Sequence, residues 1–129
     1  MKRKKTLVMF DVDGTLVRSM KLDSLLYSQA IQEVLEVRFD CDWLKYRNVT
    51  DGGILEQVIE ESAVTGDHAV LASKVEELFC ASLENELNNG TTQIDEILGA
   101  SAFLDCLESK DDVVVAIATG GWRKAAEIK

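Results

Sequence analysis

The chain contains no proline at all. No low-complexity linker and no repeat divides it, which excludes a repeat array or a chain of modules joined by Pro-rich spacers. Histidine is nearly absent too. The single one, His68, sits in the turn-like stretch "TGDH" and reads as a surface or helix-start residue, so no histidine-based triad can be built. The three cysteines, Cys41, Cys80 and Cys106, are odd in number and widely spaced, without a CxxC or a Cys/His pair. That argues against zinc and against a disulfide framework; the expectation is three small apolar core residues in a reducing cytoplasm. Long apolar runs are missing as well. The first one stops at Asp11, too short for a signal-peptide core and far too short to span a membrane. Positive charge is scarce and misplaced. Four of the 14 basic residues lie in the first five positions, leaving 10 against 23 acidic residues in the remainder. A body so acidic, with no basic cluster, repels nucleic acid and excludes it as a partner.

What is present is enough for a folded core. Apolar residues make up 47% of the 129 positions and charged residues 29%, the balance of a globular domain and not of a disordered one. Residues 6–10 read as a short buried strand, followed by Gly14 in a tight turn. From Ser19, a good N-cap, apolar residues recur at Leu22, Leu25, Leu26, Ala30, Val34 and Val37, which is helical spacing. A short helix is expected over 42–47, a turn over "NVTDGG", and helices over 54–61 and about 69–87, the last stopped by "NNG". Another helix covers about 102–109, with its start on either side of Gly99. The run "VVVAIA", 113–118, is continuous and β-branched, the pattern of a buried parallel strand. "TGG" closes it and a helix begins at Trp122, itself read as core or sheet cover. Two buried strands with helical crossovers argue an α/β fold with a parallel sheet and an inserted helical block. The expected division is core over 1–17, helical cap over 18–92, and core again over 93–129.

The stretch "MFDVDGTLVRS" carries the chemistry. Asp11 and Asp13 end an apolar strand, where carboxylates are costly unless paired or metal-bound. Sites in parallel α/β sheets form beyond the carboxyl ends of strands, so Asp11, Asp13, Thr15, Thr119 and Gly120 are expected to converge. Two carboxylates there suit Mg²⁺, which prefers oxygen ligands. Asp11 is then placed to attack a phosphorus atom as nucleophile, and Asp13, two residues on and pointing the same way, to act as general acid and base. The Thr119 hydroxyl and the backbone N–H groups around Gly120 are candidates to bind phosphate at a helix start. Arg47, in the cap loop, is the candidate to hold a substrate anion.

"DVDGTL" (11–16) resembles the first motif of the haloacid dehalogenase superfamily in its phosphatase form, and "VVVAIATGG" its second. The helical residues between them match that family's helical cap. The resemblance implies a Rossmann-like core with an inserted cap. It makes Asp11 nucleophile and Mg²⁺ ligand, Asp13 acid/base and ligand through its carbonyl, and Thr119 the phosphate binder. Asp13 also argues against the dehalogenases themselves, which lack this second aspartate. The implied activity is Mg²⁺-dependent hydrolysis of a small phosphorylated metabolite, of the sugar phosphate or phosphoglycolate type, through an aspartyl-phosphate. A phosphomutase of the same architecture and a truncated, non-catalytic binding homologue are the alternatives. Proteins of this kind usually add a later lysine and an acidic pair after a further strand. Lys124 and Lys129 come too soon to be that lysine, and Asp111 and Asp112 precede the second strand. The catalytic core is therefore expected to be incomplete, the 129-residue form inactive, and part of the sheet bare.

Overall fold

The computed structural model describes residues 5–129. Strand β1 (Thr6–Phe10) and strand β4 (Val113–Ile117) lie side by side and parallel, in register from Thr6 opposite Val113 to Phe10 opposite Ile117. The ladder closes at both ends, with the Thr6 N–H on the Asp112 carbonyl (2.7 Å) and the Ala118 N–H on the Phe10 carbonyl (2.8 Å). The expected α/β architecture with a parallel sheet is the one observed. Everything between the two strands is the crossover. It starts with a two-residue strand β2 (Val17–Arg18), then helix α1 (Met20–Leu35), a 3-10 turn (Trp43–Lys45), α2 (Asp51–Glu61) and α3 (His68–Asn88). Strand β3 (Asp95–Glu96) returns antiparallel to β2, and α4 (Ala100–Glu108) leads into β4. Helix α5 (Arg123–Ile128) follows the second site loop.

The core sits in the helical block. Val75, Phe79 and Leu83 recur every fourth residue along α3, and Cys80 adjoins them; all four are fully buried. They meet Leu26, Tyr27, Ala30, Ile31 and Leu35 of α1, and Ile54, Leu55, Val58 and Ile59 of α2. Each such side chain contributes about 1.5–3 kcal/mol by leaving water, which lets the block cohere around its own apolar stripes. Ala125 of α5 joins the same cluster, so the core domain and the cap share one packed seam. The two-stranded sheet is different. Leu7 (58% exposed), Met9 (63%) and Val114 face outward on one side; on the other, Phe10 packs edge-to-face on Phe103 of α4 while its register partner Ile117 stays exposed. The expectation of a partly bare sheet holds.

Local physics corrects four boundaries. Helix α2 begins at Asp51, inside the segment expected as a turn, because Thr50 caps it by accepting the Gly53 N–H at 3.0 Å. The helix expected over 42–47 is a single 3-10 turn, Trp43–Lys45, capped by Asp42 and closed by extended backbone at Tyr46. Helix α4 starts at Ala100, with Gly99 left-handed (φ +88°) before it. Strand β4 ends at Ile117, one residue early, where Thr119 turns toward the site. Of the cysteines only Cys80 is core. Cys41 and Cys106 are exposed and free, contrary to expectation: one lies in the 36–42 loop, the other on the outer face of α4. His68 is the exposed first residue of α3, capped by Asp67, as its turn context indicated. No helix among the described residues is long and apolar enough to cross a membrane.

Candidate active site

The site grows from the end of β1. The chain turns immediately after Phe10, with the Gly14 N–H on the Val17 carbonyl (2.8 Å) and the Leu16 N–H on the Val12 carbonyl (2.9 Å). Gly14 adopts φ +75°, where a Cβ would also strike the Met20 sulfur at 2.9 Å, so glycine is required. Between the two acids Val12 is buried; the alternation turns Asp11 and Asp13 the other way. Asp11 Oδ1 accepts the Val12 N–H at 2.8 Å, which orients its carboxylate. Asp13 Oδ1 accepts the hydroxyl of the fully buried Ser19 and the ammonium of Lys129, the latter at 2.6 Å.

At the end of β4 the second loop arrives beside the first, as the parallel register demands. The Thr119 hydroxyl accepts the Gly121 N–H at 3.1 Å and keeps its proton free to donate. A Cβ placed on Gly121 would lie 3.4 Å from Thr119 Oγ1, 3.5 Å from Asp51 Oδ2 and 3.6 Å from Asp13 Oδ2. Three oxygens from three segments thus surround one point beside the Gly121 backbone. Gly120 is needed for a different reason: a Cβ there would come within 3.2 Å of the Val49 carbonyl of the cap loop.

Asp11, Asp13, Thr119 and Gly120 all line one cavity of about 280 Å³ between the strand ends and the cap. Thr15, expected with them, is exposed and outside that lining. Arg47 is outside it too. Its backbone is tied to Gln57 (2.9 Å), and its guanidinium is turned outward onto Glu60 at 2.5 Å. Trp122 is packed against Tyr27 and Phe79, in the core role expected of it.

Three residues complete the site: Asp51 and Asp23, which the sequence does not single out, and Lys129, which stands too early in the chain for the expected later lysine. Asp51, first residue of α2, donates its N–H to the Gly120 carbonyl (2.9 Å) and accepts the Trp122 N–H on Oδ2 (3.0 Å). Asp23, on α1, also lines the cavity. Lys129 reaches back across the site to both Asp13 and Asp23, its side chain 2% exposed. The sequence signal for Asp51 was "TD" before two glycines, a cap followed by a first-turn acid, which is indistinguishable from an ordinary helix start. For Asp23 and Lys129 no sequence signal existed, since the pair is 106 residues apart.

The electrostatics follow from burial and from the one ammonium. Burial alone would raise Asp13, but hydrogen bonds from Lys129 and Ser19, with the Lys129 charge, hold it below the usual carboxylate range. Asp23 is pushed up to about 7, first by burial and further by the Asp13 charge, despite its share of Lys129. Asp51 is raised by burial, only partly offset by the Trp122 N–H and the Lys129 charge. Among the described residues no group of three or more His, Cys, Asp or Glu side chains is arranged to hold a metal. The Asp11 carboxylate and the Asp13 carbonyl are the two oxygens that the resemblance to the haloacid dehalogenase superfamily assigns to Mg²⁺, and both are hard oxygens of the kind that ion takes.

No protein-family model matches this sequence, and no curated protein matches it significantly. Solved structures do. A hydrolase from Pseudomonas syringae superposes with a TM-score of 0.70 at 21% identity, over 97% of this chain and 54% of that one. CbbY from Rhodobacter sphaeroides, in complex with phosphate, gives 0.65 at 17% identity, over 96% and 55%. A HAD hydrolase of family IA, variant 3, from Entamoeba histolytica gives 0.62 at 17%, over 96% and 52%. At these identities the likeness is one of fold, and this chain spans about half the length of each. Parallel strands ending in Asp11 and Thr119, a helical block between them, and these superpositions together identify the fold of the haloacid dehalogenase-like hydrolases, present here over about half of its length.

Proposed function

We propose that this chain carries the nucleophile and phosphate-binding half of a phosphomonoester hydrolase site acting on a small phosphorylated metabolite. The observation that supports it most is the convergence of Asp11, Asp13, Thr119 and Gly120 on one cavity at the carboxyl ends of two paired parallel strands. In this reading an Asp11 carboxylate oxygen attacks phosphorus. The P–O bond to the alcohol breaks and Asp13 gives the departing alkoxide its proton. Water then attacks the aspartyl-phosphate, Asp13 takes a proton from it, and inorganic phosphate leaves. The Thr119 hydroxyl and the backbone beside Gly120 hold phosphate oxygens throughout. Bound Mg²⁺ would offset repulsion between the Asp11 carboxylate and the phosphate dianion. Asp13 is paired with Lys129, which favours its ionised form, the state that suits the second step. The first step requires Lys129 to release it. Free cysteines fit a reducing, cytoplasmic setting, which belongs to the same proposal.

The test is formation of the acyl-phosphate mimic. Beryllofluoride with Mg²⁺ should give a bound ¹⁹F resonance with the wild-type chain and none with Asp11→Asn, which is near-isosteric and lacks the attacking charge. A signal surviving in Asp11→Asn refutes Asp11 as nucleophile. Two protein oxygens under-fill a six-oxygen site, so Mg²⁺ alone should bind weakly by calorimetry and p-nitrophenyl phosphate should turn over below detection in the 129-residue form. Tight Mg²⁺ binding with robust turnover would show that the two oxygens suffice.

A further inference from the structure

The cap side of the cavity has a chemistry of its own. Tyr27, Trp43 and Phe79 supply aromatic surface, and Asp23 and Asp51 supply carboxylates. No lysine, arginine or histidine among the described residues belongs to the lining. The two basic residues of the cap loop are spent elsewhere, Lys45 on Asp40 at 3.1 Å and Arg47 on Glu60 at 2.5 Å. The one ammonium nearby, Lys129, is committed to Asp13 and Asp23.

We propose that the leaving group this cavity accepts carries a cationic amine, making the substrate an aminoalkyl phosphomonoester. The inference rests on the phosphohydrolase reading and narrows it. A phosphate at the strand ends brings its own negative charge toward Asp11, Thr119 and Gly120. A second anion on the far end of the substrate would then face Asp51, which has no ion-pair partner, beside Asp23, whose one cation is shared with Asp13, and rejection by like charge follows. An amine finds the opposite. Asp51 has only the Trp122 N–H on Oδ2, and burial leaves its carboxylate short of positive charge. Asp23 Oδ1 is buried without a hydrogen-bond partner. Trp43 and Tyr27 add aromatic rings to the lining, a side-chain class that attracts ammonium groups. Aromatic walls with carboxylates recognise an alkylammonium; to a carboxylate or a second phosphate the lining offers only neutral donors, such as the Ser24 and Thr50 hydroxyls, and no positive charge.

Binding to the 129-residue chain tests this without requiring turnover. Tryptophan fluorescence, with Trp43 in the cavity wall, is titrated with inorganic phosphate, O-phosphoethanolamine, ethyl phosphate and phosphoglycolate. The expected order is phosphoethanolamine tightest, ethyl phosphate next and phosphoglycolate weakest, with at least about tenfold between the extremes. Asp51→Asn keeps the acceptor for the Trp122 N–H and removes the charge. It should lose most of the preference for phosphoethanolamine over ethyl phosphate, the readout being the ratio of the two affinities in the same variant. Phosphoglycolate binding as tightly as phosphoethanolamine in the wild type overturns the amine proposal and leaves the hydrolase reading standing. A full preference persisting in Asp51→Asn overturns the assignment of Asp51. Failure of inorganic phosphate and every ester to bind overturns the hydrolase reading, and this inference with it.

Discussion

Replacing Lys129 by methionine keeps the length of the side chain and deletes the one ammonium shared by Asp13 and Asp23. The Lys129 side chain is 2% exposed, and the two carboxylates are 23% and 20% exposed. Removing one partner of a buried pair costs about 3–5 kcal/mol, because the remaining charge is left without compensation. Here the carboxylates keep about a fifth of their access to water, so we expect about 2–3 kcal/mol near pH 7. Urea unfolding followed by tryptophan fluorescence measures it. Arg123→Met is the control: its i,i+4 pair with Glu127 lies in open solvent, and its midpoint should not move. Adding Asp23→Asn to Lys129→Met should recover about 1 kcal/mol, by removing the carboxylate that repels Asp13. The pH dependence has a fixed sign. Asp13 is depressed in the folded state, so its contribution is complete above the ordinary carboxylate value of 3.8 and is lost only as pH falls below that value through the depressed one. The gap between wild type and Lys129→Met should therefore persist down to about pH 4 and close below it. A Lys129→Met midpoint as close to wild type as that of Arg123→Met would refute the reasoning: the clamp would then contribute nothing in solution.

Asp51→Asn should gain stability relative to wild type as pH rises from 4 to 8. Burial raises the Asp51 pKa, so its contribution is full below the ordinary value and lost as pH climbs through the folded one; an unchanging difference in urea midpoints across that range would contradict it. Phe79→Ala should destabilise by about 3–5 kcal/mol, since the ring is 1% exposed and packs against Tyr27 and Trp122. A loss under about 1 kcal/mol in the same assay would mean that the seam between α3 and α5 collapses around the missing ring.

Patterns of short range were legible in the residues alone. A β-branched run bounded by a glycine turn defines a strand, and apolar side chains every three to four residues define helices. Hence β1, α1, α3 and β4 stand close to where their periodicities put them. The pairing of Asp11 with Asp13 was visible for the same reason: two residues along a strand is one face. Thr119 was visible as the polar stop of an apolar run. Where a cap competes with a turn, the sequence is ambiguous. "TDGG" satisfies both, and only the Thr50–Gly53 hydrogen bond makes it the start of α2. Cys41, Cys80 and Cys106 have the same chemistry, and only packing decides that one is core and two are surface. The cap-side half of the site was out of reach for a further reason. Arg47 could have turned in or out; Glu60, one side of α2 away, draws it out. Asp51 meets Trp122 across 71 residues and Asp23 meets Lys129 across 106, and neither member carries a local mark of its partner. Strands and turns are set by neighbours in the chain. Charge pairs and cavity walls are set by which faces the core brings together, and that is decided only when α1, α2 and α5 close on α3.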